Sequence, residues 1–259
     1  MAQSHTRRRA LTLIGTAGGI ALAGCMGGSD DGGEMGGNGS GEEMSDDEMN
    51  DSGSDETMAN VRVAHLSPDA PNVDVYVDGD TILEDVPYRD VSDYLELAPG
   101  TYTVMITAAG DPDTVVFEDD LEITDGAFTI AALGELSETN QPFAPTVLED
   151  DISDPGDNAR VRLVHASPDA PAVDVTVGDG ETVLFDDVAF GEAATTEVPG
   201  GDYTLEVRPA TETNDGDVVA TFDVAPEAGS VYTAFAVGYL EPKSAPADAP
   251  FDLEVVMDA

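Results

Sequence analysis

His65, Ser67 and Asp69 stand two residues apart, and His165, Ser167 and Asp169 repeat the pattern one hundred residues later. Imidazole, hydroxyl and carboxylate are the groups that nucleophilic catalysis uses, the imidazole as base and the carboxylate as its orienting partner. The spacing argues for a different use. Pro68 and Pro168 turn the chain inside each set, and catalytic triads are assembled from distant segments and recognised by geometry. The sequence therefore favours a structural role: each His closes a strand end, while Ser and Asp hydrogen-bond the backbone of the turn. No catalytic residue is assigned, and an enzyme is not expected.

The triplets sit in longer matching blocks. From Val61 the chain reads V-R-V-A-H-L-S-P-D-A-P-N-V-D-V-Y-V, and from Val161 it reads V-R-L-V-H-A-S-P-D-A-P-A-V-D-V-T-V. Each block carries an arginine and an aspartate, Arg62 with Asp74 and Arg162 with Asp174, in a chain with few cations. Neighbouring strands of a hairpin would set each pair on one face, so a partly buried cross-strand ion pair is expected in each copy. An arginine that binds a ligand's carboxylate is the alternative. Asp78-Gly79-Asp80, Asp111-Pro112-Asp113 and Asp179-Gly180 could offer oxygens to Ca²⁺, but none has the spacing of a known loop, and solvated turns are the simpler reading. Met26, Met35, Met44, Met49 and Met58 could offer thioethers to Cu(I), yet no His or Cys accompanies them between Met26 and Asn60. No metal ligand set is assigned and no cofactor is expected, Ca²⁺ remaining the one candidate.

These residues need strands to hold them. Val61, Val63 and His65 share one face of an extended run, and Arg62, Ala64 and Leu66 share the other. Pro68 and Pro71 must end that strand, as Pro168 and Pro171 must end its counterpart. Val73, Val75 and Val77 alternate next, and Asp78-Gly79 is a hairpin signal. Further runs at Val91–Leu97, Thr101–Thr107, Thr114–Ile123, Phe128–Leu133 and Pro142–Leu148 complete seven or eight short strands. The second half repeats the order: Phe190 answers Tyr88, Pro199-Gly200-Gly201-Asp202-Tyr203-Thr204 answers the turn before Tyr102, and Tyr232-Thr233-Ala234 answers Phe128-Thr129-Ile130. No stretch has helical periodicity. The expected fold is all-β, two tandem antiparallel β-sandwiches of the immunoglobulin-like or transthyretin-like kind.

The H-x-S-P-D-A-P blocks, the aromatic at Tyr88 or Phe190 and the P-G-x-Y-T turn together resemble the repeat of an exported family known as domain-of-unknown-function family 4397. The resemblance covers nearly all of residues 60–259. It implies extracytoplasmic β-sandwich repeats and brings no activity and no catalytic residues.

Composition sets the surroundings. The 259 residues hold 9 basic and 54 acidic side chains, a formal charge of −45. A phosphate backbone needs a basic face, so nucleic acid is not an expected partner. With 41% apolar residues in strand-like runs, the acid is read as the skin of folded domains rather than as disorder. Such a skin suits high salt, where self-repulsion is screened, and points to a halophilic archaeon. A calcium-rich exterior is the competing reading.

The first 25 residues read as an export signal. Arg7, Arg8 and Arg9 precede an uncharged apolar run too short for a comfortable span, and Leu22-Ala23-Gly24-Cys25 closes it. The run resembles a twin-arginine signal ending in a lipoprotein cleavage site, with lipid on Cys25. The expected layout is signal peptide 1–24; lipidated, disordered Gly/Asp/Met tether 25–59; sandwich 60–150; linker 151–158, modestly flexible; and sandwich 159–259. The expected role is a lipid-anchored protein on the extracytoplasmic face of the membrane. It would present two modules to a cell-surface protein or glycan for binding, adhesion or envelope structure. A metal-binding module is the alternative; the sequence does not fix the oligomeric state.

Overall fold

The computed structural model describes residues 58–259; the expected export signal with Arg7, Arg8 and Arg9, the lipid-bearing Cys25 and the tether before Met58 lie outside them. Sixteen strands account for the regular structure among the described residues, eight in each repeat. Repeat 1 runs β1 (Ala59–His65), β2 (Val73–Val77), β3 (Asp80–Val86), β4 (Leu95–Leu97), β5 (Gly100–Ala108), β6 (Asp111–Ile123), β7 (Ala127–Leu133) and β8 (Ala144–Asp150). Repeat 2 runs β9 (Asn158–His165), β10 (Val173–Val177), β11 (Thr182–Val188), β12 (Ala193–Pro199), β13 (Tyr203–Pro209), β14 (Ala220–Val224), β15 (Val231–Val237) and β16 (Asp252–Met257).

Each repeat is a sandwich of two four-stranded sheets. The orders are β4-β1-β7-β8 over β3-β2-β5-β6, and β12-β9-β15-β16 over β11-β10-β13-β14. Most pairings are antiparallel, as the hairpin signals require. β1 and β7, however, run parallel with Arg62 opposite Thr129, and β9 and β15 run parallel with Arg162 opposite Thr233. The strand expected over Val91–Leu97 is shorter: Val91 makes a single bridge to Ala64, and only Leu95–Leu97 is a strand. The Asp78-Gly79 turn has φ of 51° and 86°, positive at both positions as a type I′ hairpin demands.

The central strands of the inner sheets, β1 and β7 in repeat 1 and β9 and β15 in repeat 2, are covered on both faces. Val61 and Ile130 point into the first sandwich, while Ala64, Leu66, Ala131, Leu133 and Leu148 turn outward. They meet Val164, Ala166, Phe235 and Val237 of the second repeat in one apolar cluster. This explains β7, where all seven residues are buried, and β15, where six of seven are: a strand covered on both sides reads as a continuous apolar run. The repeats therefore share a core, which departs from two beads on a flexible link. The connecting segment is itself tied down, because the Arg160 guanidinium donates to the carbonyls of Asp151 (3.2 Å) and Ser153 (2.8 Å).

Candidate functional site: repeat motif, arginine pair and sandwich interiors

The two H-x-S-P-D-A-P segments leave the ends of β1 and β9 as loops and fasten each to the loop after the neighbouring β7 or β15. Asp69 accepts from the backbone N–H groups of Leu136 (2.8 Å) and Ser137 (2.9 Å), and Asp169 from those of Leu240 (2.8 Å) and Glu241 (2.9 Å). The Ser167 hydroxyl donates to the Gly238 carbonyl at 2.6 Å. Gly134 and Gly238 both have positive φ, and a Cβ on them would lie 2.1 Å from the Pro142 oxygen and 2.3 Å from the Pro250 oxygen. The backbones touch there, so only glycine fits.

Both histidines are buried. His65 Nε2 pairs with the Pro71 carbonyl at 3.0 Å, and His165 Nε2 with the Pro171 carbonyl at 2.9 Å. A carbonyl only accepts, so each Nε2 carries the proton. Nδ1 of His165 accepts from the Ser167 N–H at 3.3 Å. The rings stand edge-on to Tyr88 and Phe190 at 6.3 and 6.1 Å. Burial is the main cause that lowers both pKa values, opposed by the Pro71 and Pro171 hydrogen bonds and by Asp90 or Asp169. Neither imidazole faces a serine hydroxyl, so the pattern forms no nucleophile–base pair. Pro68 and Pro168 do their work by turning the chain between Ser and Asp.

The expected pairs Arg62–Asp74 and Arg162–Asp174 do not form. Asp74 instead accepts from the backbone N–H groups of Asp85 (2.8 Å) and Gly110 (2.9 Å). Asp174 likewise accepts from Asp187 (2.9 Å) and Thr211 (3.0 Å). Asp85 and Asp187 sit at φ of 55° and 52°, where the β2–β3 and β10–β11 registers shift. Each aspartate thus clamps a bulge. β1 and β2, like β9 and β10, belong to different sheets, so arginine and aspartate are not cross-strand neighbours, and the arginines lie in the interface between repeats.

There the two repeats exchange partners. Arg62 donates to Thr129 Oγ1 (2.8 Å), to Thr233 Oγ1 (3.2 Å) and to Asp258 Oδ1 (2.7 Å) at the end of repeat 2. Arg162 donates to Thr233 Oγ1 (3.0 Å), to Thr129 Oγ1 (3.3 Å) and to Asp150 at the end of repeat 1. Thr129 and Thr233 pass their own protons to Asp150 and Asp258, each at 2.6 Å. Tyr94 also donates to Asp150, and the Arg62 guanidinium lies 4.7 Å from its ring centre. All four charged side chains are at most 7% exposed. Two cations and two anions cancel, and every arginine finds an acceptor, which is what a buried network requires. Asp150 and Asp258 were not singled out in the sequence, and Thr129 and Thr233 stood there only as matching positions of the two repeats. The matched endings Val147-Leu148-Glu149-Asp150 and Val255-Val256-Met257-Asp258 were the available signal.

Each sandwich also encloses an apolar space. Between the sheets of repeat 2 lies a cavity of about 280 Å³, walled by Val161, Leu163, Val175, Leu205, Val207 and Ala234. Repeat 1 holds one of about 260 Å³, walled by Val61, Val63, Val75, Val104, Ile106 and Ile130. An inter-sheet layer about 10 Å thick needs long side chains to fill it, and these walls are mostly Val, Ile and Ala. At roughly 24 cal/mol per Å³, an empty void of this size forfeits at most about 7 kcal/mol of packing.

Among the described residues no three His, Cys, Asp or Glu side chains converge as metal ligands, so the Asp turns gain no support as Ca²⁺ sites. The tether methionines other than Met58 lie outside the described residues.

The family described as a domain of unknown function (DUF4397) matches residues 59–176 and again residues 159–256. The chain belongs to this family. The second DUF4397 match covers the second sandwich, the first covers the first sandwich and runs on into β9 and β10, and both leave the activity open. No curated protein matches the chain. Among solved structures it is similar to the Bacillus anthracis TIE protein, at 13% identity over 70% of this chain, with a TM-score of 0.23. The chain spans 34% of that protein's length. It is also similar to CBMbc, a family CBM26 module of Eubacterium rectale Amy13K crystallised with maltoheptaose. That match has 8% identity over 78% of this chain and 97% of that one, with a TM-score of 0.24. At these TM-scores neither likeness bears on the function of the DUF4397 repeats here.

Proposed function

We propose that this chain is a lipid-anchored protein on the extracytoplasmic face of a halophile's membrane. It would display one rigid double sandwich on an acidic tether, as a binding module for a cell-surface protein or glycan. The observation that carries the reading is the shared interface. The arginines and the last strand of each repeat are consumed in joining the two sandwiches, so the described part is built as one unit and its loops are held for presentation. Binding rather than catalysis is supported by the repeat motif, whose His and Asp residues already serve backbone groups. Halophily is supported by the charge of −45 and by the use of all five described arginines in ion pairs, two of them with surface acids, which leaves the other surface acids without arginine partners. Export and anchoring rest on Arg7, Arg8, Arg9 and the Leu22-Ala23-Gly24-Cys25 sequence.

Fractionation of cells carrying the native chain and a Cys25→Ser variant tests the anchor. The native protein is expected in the membrane fraction after a high-salt wash, and the variant in the medium. Equal membrane retention of both would sink the lipid attachment.

A further inference from the structure

We propose that the interior of each sandwich is a binding site for one uncharged linear hydrocarbon chain, so that each molecule takes two. The inference is independent of how the protein is anchored. It starts from duplication. The two cavities occupy the same layer of the two repeats and use corresponding strands: β1, β2, β5 and β7 in repeat 1, and β9, β10, β13 and β15 in repeat 2. A packing fault confined to one repeat would not recur one hundred residues on, with different side chains at the same places. Val63 in one wall answers Leu163 in the other, Val104 answers Leu205, and Ile130 answers Ala234. The individual residues differ while the space is retained.

The walls select the occupant. A buried water needs about two to four polar partners, and these walls offer mostly apolar carbon, aliphatic side chains joined by Phe185, Tyr203 and Tyr232 in repeat 2 and by Tyr102 in repeat 1, so the spaces suit hydrocarbon. A cavity of roughly 150 Å³ holds one benzene ring, so volumes of about 280 and 260 Å³ have room for ~10 carbons, by the same scaling. No Arg, Lys or His lines either cavity, and the charged groups in the linings are Glu96 in repeat 1 and Asp223 in repeat 2. A carboxylate on the ligand would lose its hydration and find no cation. An alcohol or a plain hydrocarbon carries no such penalty. Entry is supported by exposed apolar residues in the linings: Ile82 and Leu95, at 42% and 40% exposed, on the edge strands β3 and β4, and Val255, at 42%, on β16.

The test is a calorimetric titration with 1-octanol of the full chain carrying Cys25→Ser, which removes the need for a detergent that would compete for the space. Multimolar KCl is the solvent, and a cooperative melt confirms folding. Saturable binding at two per chain is expected. Ala234→Ile places repeat 1's own residue in repeat 2 and is expected to reduce the count to one. Val63→Leu with Val104→Leu places repeat 2's residues in repeat 1 and is expected to weaken the other site. All three together are expected to leave at most weakened uptake at one site. Ala234→Val replaces Ala234→Ile if the latter does not melt cooperatively. Octanoate is expected to bind at least about tenfold more weakly than the alcohol, from the cost of burying an unpaired carboxylate. Absence of saturable uptake by folded protein, or uptake untouched by the three substitutions, would overturn the site. Equal affinity for octanoate would overturn the uncharged ligand class.

Discussion

At the scale of single residues, the same side-chain types that suggest catalysis here serve the backbone. His165 illustrates the consequence. Its Nε2 proton is given to the Pro171 carbonyl and its Nδ1 lone pair takes the Ser167 N–H, so the folded state holds the neutral ring on both sides. Adding a proton would break the Nδ1 contact and place a charge in a buried site. Burial accordingly lowers the pKa of both His65 and His165 below the usual 6.5, against the opposing pull of Asp90 and Asp169. The unfolded chain then binds more protons than the folded one wherever the pH lies below about 6.5 and above the lowered values. Stability should fall as pH drops through that window, before the carboxylates begin to titrate. Melting temperatures measured between pH 7.5 and 5 at fixed high salt check this. A His65→Gln, His165→Gln double variant should flatten the dependence, whatever it does to the melting temperature at pH 7.5. An unchanged slope would assign the effect to other groups.

At the scale of elements, the inner sheets behave as the middle layers of one body. Their central strands carry apolar residues on both faces, interrupted at the interface by the Arg62, Thr129, Arg162 and Thr233 set with Asp150 and Asp258. A buried network of this kind adds little over a well-packed apolar one, but loss of one partner strands the other's charge at a cost of about 3–5 kcal/mol. Arg162→Met leaves Asp150 with Arg62 at 3.6 Å and one anion in excess. It should lower the unfolding free energy by that order, about 3–5 kcal/mol. Adding Asp150→Leu should restore part of the loss, giving a coupling on the order of 1–3 kcal/mol in a denaturant double-mutant cycle. Strict additivity would mean that the pair does not interact. Much of this level was legible in the sequence. Prolines marked the end of β1 and β9, Asp78-Gly79 marked a hairpin, and the Pro-Gly-x-Tyr-Thr turn marked the corner where Tyr102 and Tyr203 donate to carbonyls four residues back. These are local effects of backbone conformation. The arginine partners were not legible, because Arg62 and Asp258 are 196 residues apart and no local rule links them. The expected Asp74 partner assumed that β1 and β2 form a hairpin, but the Pro68–Pro71 segment carries the chain into the other sheet, where Asp74 clamps the bulge at Asp85. The continuous apolar runs of β7 and β15 did carry the signal of two-sided burial, but they look the same as ordinary strands until a second sheet is placed against them.

At the scale of the whole molecule, two features set the response to salt and heat. Every described arginine is tied to a carboxylate within the fold, so the surface acids repel one another with few cations between them. Charges more than a Debye length apart are screened, and that length is about 10 Å at 0.1 M salt but about 3 Å at 1 M. Repulsion in the compact state should therefore be strong in dilute buffer and weak in brine. The shared core adds a second constraint: separating the repeats would expose Leu66, Leu133, Phe235 and Val237 and strip the arginine network of half its partners. Neither repeat should persist alone once the other unfolds. Calorimetric scans from 0.1 M to several molar KCl should accordingly show one transition whose midpoint climbs with salt, most steeply below about 1 M, where the Debye length changes most. A midpoint indifferent to salt would remove the physical basis for reading the acid skin as an adaptation to brine. Two resolved transitions would mean that the inner sheets hold their faces without each other, and that the arginine network joins two sandwiches that are already complete.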